Sequence, residues 1–167
     1  MRVIGISGWS GSGKTTLIER LLPELASMGL SVSTIKHAHH GFDIDRPGKD
    51  SHRHRIAGAR EVLVASPDRW ALLHEHAGVE PALAELLARL APVDLVLVEG
   101  FKHDRIAKIE VHRPSLGREP LWPADPDVVA VASDAPLADC GRCVLPLGDP
   151  AAIAAWLGTF LLENPLR

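Results

Sequence analysis

The chain has 167 residues, 46% hydrophobic and 23% charged, which is enough for one domain with a real core. That balance excludes a disordered, collagen-like or coiled-coil chain. The net charge of -3, from 18 Lys+Arg against 21 Asp+Glu, excludes a globally basic nucleic-acid binder.

Arg2–Ser7 reads as a buried strand closed by Gly8. Lys14–Met28 follows as a helix, with Leu17, Ile18, Leu21, Leu22 and Leu25 on one face, Pro23 as a potential kink and Gly29 as its stop. Ser31–Ile35 is a second strand. Residues 42–49 form a loop, and Ser51–Ala59 a helix entered from Asp50 as N-cap. Two strands, Glu61–Ala65 and Arg69–Leu73, meet at Ser66-Pro67-Asp68. Pro81–Ala91 reads as a strong helix with proline in its first turn. Val93–Val98 is almost wholly apolar, as a parallel strand covered on both faces requires. Ala107–His112 alternates, Val128–Ala132 is buried, and Val144–Leu147 is short. Pro114–Pro126 holds four prolines and reads as a surface loop or linker. Pro150–Leu162 is a last helix capped by Asp149. Strands alternating with helices predict an α/β fold, a mainly parallel sheet with helices on both faces, as one domain over residues 1–167.

No secretory leader is evident at Met1-Arg2, and no apolar stretch reaches the roughly 18 residues of a membrane span. The expectation is a cytoplasmic chain without a membrane partner. Cys140 and Cys143 form a single C-x-x-C with no second pair, and read as incidental thiols.

The strongest signal is Gly8-Trp9-Ser10-Gly11-Ser12-Gly13-Lys14-Thr15, a full G-x-x-x-x-G-K-[ST] match between a strand and a helix. Glycines let backbone N–H groups close on phosphate oxygens, and the helix start adds a positive dipole end. Gly8, Ser10, Gly11, Ser12, Gly13, Lys14, Thr15 and Thr16 are therefore candidate phosphate-binding residues. The Thr15 hydroxyl is a candidate Mg²⁺ ligand. Glu99 ends the apolar strand and is the candidate second metal-shell or water-positioning acid. Asp94, at the other end, reads as a local cap. Asp50 reads either as a helix cap or as a third group facing Mg²⁺.

Residues 36–60 carry six Lys/Arg, three Asp and five of the nine His, a local charge of +3 on an otherwise acidic chain. Three readings compete there. Lys36, His37 and their neighbours bind an anionic substrate or nucleotide phosphates, the histidines hold a transition metal, or the loop is merely solvated. No N-K-x-D guanine signature occurs. Asp134, after Ala132-Ser133, either accepts guanine N1–H and N2–H or caps a turn.

S-G-x-S-G-S-G-K-T-T at Ser7–Thr16, T-I-K-H-x-H-H-x-F-x-I-D at Thr34–Asp45 and P-G-K-D-S at Pro47–Ser51 occur in order. A-G-A at Ala57–Ala59, L-V-E-G-F-K at Leu97–Lys102, K-I-E-V-x-R at Lys108–Arg113 and A-V-A-S-D at Ala130–Asp134 follow. Together they resemble the MobB family of molybdopterin-guanine dinucleotide biosynthesis proteins. The resemblance implies a dimeric P-loop chain that binds GTP and Mg²⁺ and assists the guanylyltransferase that attaches GMP to molybdopterin, with weak GTPase activity at most. It implies Gly13, Lys14, Thr15 and Thr16 on phosphate and metal, and Ser133 and Asp134 on guanine. Thr15, Asp50 and Glu99 match the metal-shell positions of related dimeric P-loop proteins. The His/Lys/Asp loop would meet molybdopterin phosphate or the partner enzyme. A small-molecule kinase and a GTP-driven nickel or zinc chaperone are the alternatives. Arg53, Arg55 and Arg113 are the candidates for a charge-stabilising arginine.

Overall fold

The computed structural model describes residues 1–38, 41–76, 78 and 80–164. His39 and His40, part of the predicted anion- or metal-binding loop, lie outside them. The chain forms two compact units, Met1–His37 with Leu83–Arg167, and Ala38–Ala82.

The first unit is built on a six-stranded sheet. Its strands are β1 (Arg2–Ser7), β2 (Val32–Lys36), β5 (Leu95–Glu99), β6 (Lys108–His112), β7 (Val128–Ser133) and β8 (Cys143–Pro146). Their spatial order is β2-β5-β1-β6-β7-β8, with every pairing parallel. Helices α1 (Lys14–Ser27) and α4 (Pro150–Glu163) cover one face. Ile4, Ile6, Leu95, Leu97, Ile109, Val111, Ala130 and Ala132 project towards them, every second residue of each strand, and meet Leu17, Leu21, Leu25, Ile153 and Leu157. The opposite face packs Val96 and Val98 against Leu83 and Leu87 of the short helix α3 (Leu83–Leu87). This is the expected α/β architecture.

Several bounds differ from the sequence reading. The predicted helix over 81–91 survives only as α3. After Leu87 the chain tightens into i to i+3 bonds, Arg89 N to Leu86 O and Leu90 N to Leu87 O, and Pro92 further on disfavours a helical conformation at Ala91. Pro23 does not end α1, which runs through it. β2 starts one residue later than predicted because the Ser31 N–H donates to the Asp94 carboxylate at 2.8 Å. The Ser31 donors hold the Asp94 carboxyl below the usual carboxylate range, so Asp94 is the local cap expected.

The alternation predicted for β6 is present, yet both faces are buried. Its second face carries Lys108, Glu110 and His112 under residues 113–127, so that stretch is a packed cover rather than a free linker. Lys108, 1% exposed, pairs with Asp125 at 3.1 Å. Glu110 is fully buried and accepts the N–H groups of Leu121 at 3.0 Å and Trp122 at 2.9 Å. The His112 ring meets Trp122 edge-on, with centroids 5.1 Å apart. Burial pushes the Glu110 carboxyl up despite those donors.

The second unit holds α2 (Asp50–Ile56) and an antiparallel hairpin of β3 (Glu61–Ala65) and β4 (Trp70–His74). Lys49 is the N-cap of α2 and Asp50 its first residue, which corrects the expected capping role. An acid there still favours the positive helix start. Arg55 gathers Asp43 at 2.8 Å, Asp45 at 3.1 Å and Glu75 at 3.3 Å.

Candidate functional site

The loop after β1 turns on Gly8. Its φ is +135°, and a Cβ there would stand 2.4 Å from the Val111 carbonyl oxygen, so only glycine fits. Ser10, Gly11 and Ser12 carry the chain round to Gly13, the N-cap of α1, which places Lys14, Thr15 and Thr16 in the first turn. The Ser12 hydroxyl is buried and has no hydrogen-bond partner among the described residues. A polar group in that condition costs free energy until a ligand or water meets it.

Lys14 folds back over its own loop. Its Nζ donates to the carbonyls of Gly8 and Trp9, each at 3.0 Å. Desolvation lowers its pKa and Lys36 adds to the lowering, while Glu99 opposes it. A multiply charged anion in the loop would reverse that penalty.

Thr15 and Glu99 meet directly. The Thr15 hydroxyl donates to Glu99 Oε1 at 3.0 Å and lies 3.2 Å from Oε2. β5 lies between β1 and β2, and its register sets Ile6 and Lys36 on either side of Glu99. Lys36 Nζ consequently stands 3.5 Å from Glu99 Oε2 and 3.4 Å from Thr15 Oγ1. A hydroxyl and a carboxylate side by side at a phosphate-loop helix are hard oxygen donors, the kind Mg²⁺ takes in small number together with phosphate and water. The donor set therefore fits that ion.

Gly100 turns the chain just beyond Glu99. A Cβ on it would reach 2.7 Å from His37 Cβ. His37 N–H donates to the Glu99 carbonyl at 2.9 Å, and its ring lies against Phe101 with centroids 4.9 Å apart.

Asp50 lies in the second unit, where its carboxylate is 87% exposed and 3.6 Å from Arg53. The Ser133 hydroxyl donates to the Ala135 carbonyl at 2.8 Å and receives the Ala135 N–H at 3.2 Å, closing a turn after β7. Asp134 is paired with Arg113, whose Nε also donates to the Ser12 carbonyl at 2.9 Å. This link escaped the sequence reading, because no spacing rule joins residues 101 positions apart. Trp9 donates its indole N–H to the Glu119 carbonyl at 2.7 Å, and Lys102 and Arg118 each lie 5.8 Å from its ring. Among the described residues no group of three or more His, Cys, Asp or Glu could hold a metal ion by themselves. Cys140 and Cys143 are free thiols. No helix among the described residues is long and apolar enough to cross a membrane.

Comparison with known proteins shows what the chain as a whole is similar to. The family model described as MobB, molybdopterin guanine dinucleotide synthesis protein B, matches residues 3–134. The molybdopterin-guanine dinucleotide biosynthesis adapter protein of Escherichia coli (strain K12) is 46% identical over 139 residues, 81% of this chain and 79% of that protein. The adapter protein of the same name from Haemophilus influenzae is 42% identical over 162 residues, 95% and 89% of the two chains. Among solved structures, Bacillus subtilis MobB superposes with a TM-score of 0.73 at 27% identity, covering 95% of this chain and 97% of that one. A MobB homologue from Bacillus stearothermophilus gives 0.70 at 26% identity, covering 98% and 100%.

Proposed function

The chain belongs to the MobB family, and from that premise we propose that it is a GTP-binding adapter that assists attachment of GMP to molybdopterin. The observation that carries the reading is the meeting of Thr15, Glu99 and Lys36 beside the Lys14 loop.

Lys14 would exchange the Gly8 and Trp9 carbonyls for β- and γ-phosphate oxygens, which answer its charge better than neutral acceptors do. Gly8, Ser10, Gly11, Ser12, Gly13 and Thr16 would line the phosphates, with the Ser12 hydroxyl gaining a partner. Thr15 and Glu99 would hold Mg²⁺, which supplies charge neutralisation across the phosphate oxygens. Asp50 is proposed as a further metal-shell acid. Ser133 and Asp134 are proposed to face guanine. Glu99 is proposed to position a water, with Lys36 Nζ 3.5 Å from its carboxylate. Any GTPase activity is proposed to be weak at most.

The whole chain is proposed to act as one nucleotide-binding domain, as a homodimer in the cytoplasm. Lys36, His37 and the cationic loop would meet molybdopterin or the guanylyltransferase. The test is capture of the purified guanylyltransferase by this chain, with and without GTP and molybdopterin. Capture strengthened by GTP and lost in Lys14→Ala is expected. Capture indifferent to both would overturn the adapter reading.

A further inference from the structure

Arg113 follows β6 and sits half-buried between two parts of the site. Its Nε donates to the Ser12 carbonyl at 2.9 Å, and its Nη1 pairs with Asp134 Oδ2. The guanidinium also lies over Gly13, with Nη2 3.4 Å from where a Cβ would stand. One planar cation thus joins the phosphate loop to the carboxylate at the end of β7.

We infer that Arg113 is a positioning residue for base selection, holding the Asp134 carboxylate in fixed register with the phosphate loop. The inference rests on the GTP-binding reading above.

A guanidinium presents its N–H groups in a rigid fork, so anchoring Nε on Ser12 also sets the direction of Nη1. Asp134 lies beyond the strand end, and its side chain is 35% exposed. A pair that open contributes little to stability, so its worth lies in orientation. Finally, a carboxylate discriminates between bases only when it is aimed. A site built to meet an N–H group rejects the analogue lacking it because its own polar groups go unpaired. Guanine offers N1–H and a 2-amino group to such an acceptor, and adenine does not.

The register also explains the sharing of Arg113. β6 and β7 pair His112 with Ser133, so the residues that follow, Arg113 and Asp134, leave the sheet side by side. β1 pairs with the other edge of β6, which brings the loop after β1 to the same end.

The experiment is equilibrium binding of GTP, inosine triphosphate and ATP, with Mg²⁺, to the full chain. Wild type is compared with Arg113→Lys, Arg113→Ala, Asp134→Asn and the Arg113→Ala/Asp134→Asn double variant. Arg113→Lys keeps the charge without the fork and guards against a variant that fails to fold; melting curves accompany each protein. Both Arg113 variants are expected to cut the GTP-to-ATP affinity ratio about tenfold or more, and the double variant to bind GTP no worse than Asp134→Asn alone. Parallel weakening of GTP and ATP, an unchanged ratio, or losses that multiply in the double variant would overturn the inference. Failure of the underlying reading shows in the wild type, as no GTP binding or no preference over ATP. Failure of this inference alone shows only in the variants.

Discussion

A methyl group on Gly8 would collide with the Val111 carbonyl oxygen in a backbone already at positive φ. Gly8→Ala is therefore expected to lower stability by about 1–3 kcal/mol in urea denaturation. An unchanged midpoint would mean that the loop is not held as described. The hydroxyl–carboxylate pair of Thr15 and Glu99 makes a different demand. Glu99→Gln should reduce the Mg²⁺ dependence of GTP affinity about tenfold while leaving metal-free GDP binding within about twofold. Equal loss of both would assign Glu99 a structural role. The glycines, Lys14 and Thr15 were legible in the sequence because backbone-to-phosphate chemistry demands those residues at that spacing. Glu99 was legible as an acid ending an apolar strand. Lys36 was visible as a cation, but its contact with Glu99 comes from strand register, which local pattern does not encode. Arg113 was legible as a candidate charge-stabilising arginine, but not as the link between Ser12 and Asp134.

At the scale of elements, the strands of the parallel sheet were readable to within two residues, because apolar runs in buried strands leave little choice. Helix α3 was not, since the apolar spacing of residues 81–91 continues past Leu87, where the chain tightens into i to i+3 bonds. The buried polar row of β6 was also missed. Alternation normally means one wet face, and here residues 113–127 cover it. Glu110→Gln would set an amide N–H₂ against at least the Leu121 N–H group, which both carboxylate oxygens now meet, at a cost of about 1–3 kcal/mol. The sign of its pH dependence follows from burial. The folded-state pKa of Glu110 is raised, so the stability it contributes is whole below the ordinary carboxylate range. That contribution falls as pH rises through the folded value. Denaturation against pH should show the gap between wild type and Glu110→Gln narrowing over that rise. A gap that widens would contradict the burial account.

For the whole molecule, the net charge of -3 hides a cationic segment, residues 36–60, that falls almost entirely in the second unit. No Pro/Gly-rich linker marks either junction of that unit, so composition does not signal the division. Its hairpin leaves Leu63, Trp70 and Leu72 exposed. A dimer, as the family resemblance implies, should sediment at about twice the 18.0 kDa chain mass. A mass that stays at one chain up to high concentration would remove the dimer from the account. The central claim, that this chain is a guanine-nucleotide binder, is tested most directly by titrating wild type and Lys14→Ala with GTP and with ATP, each with and without Mg²⁺. GTP should bind more tightly than ATP, Mg²⁺ should strengthen it, and Lys14→Ala should lose most of the affinity. Equal binding of GTP and ATP, or GTP affinity untouched in Lys14→Ala, would contradict the account.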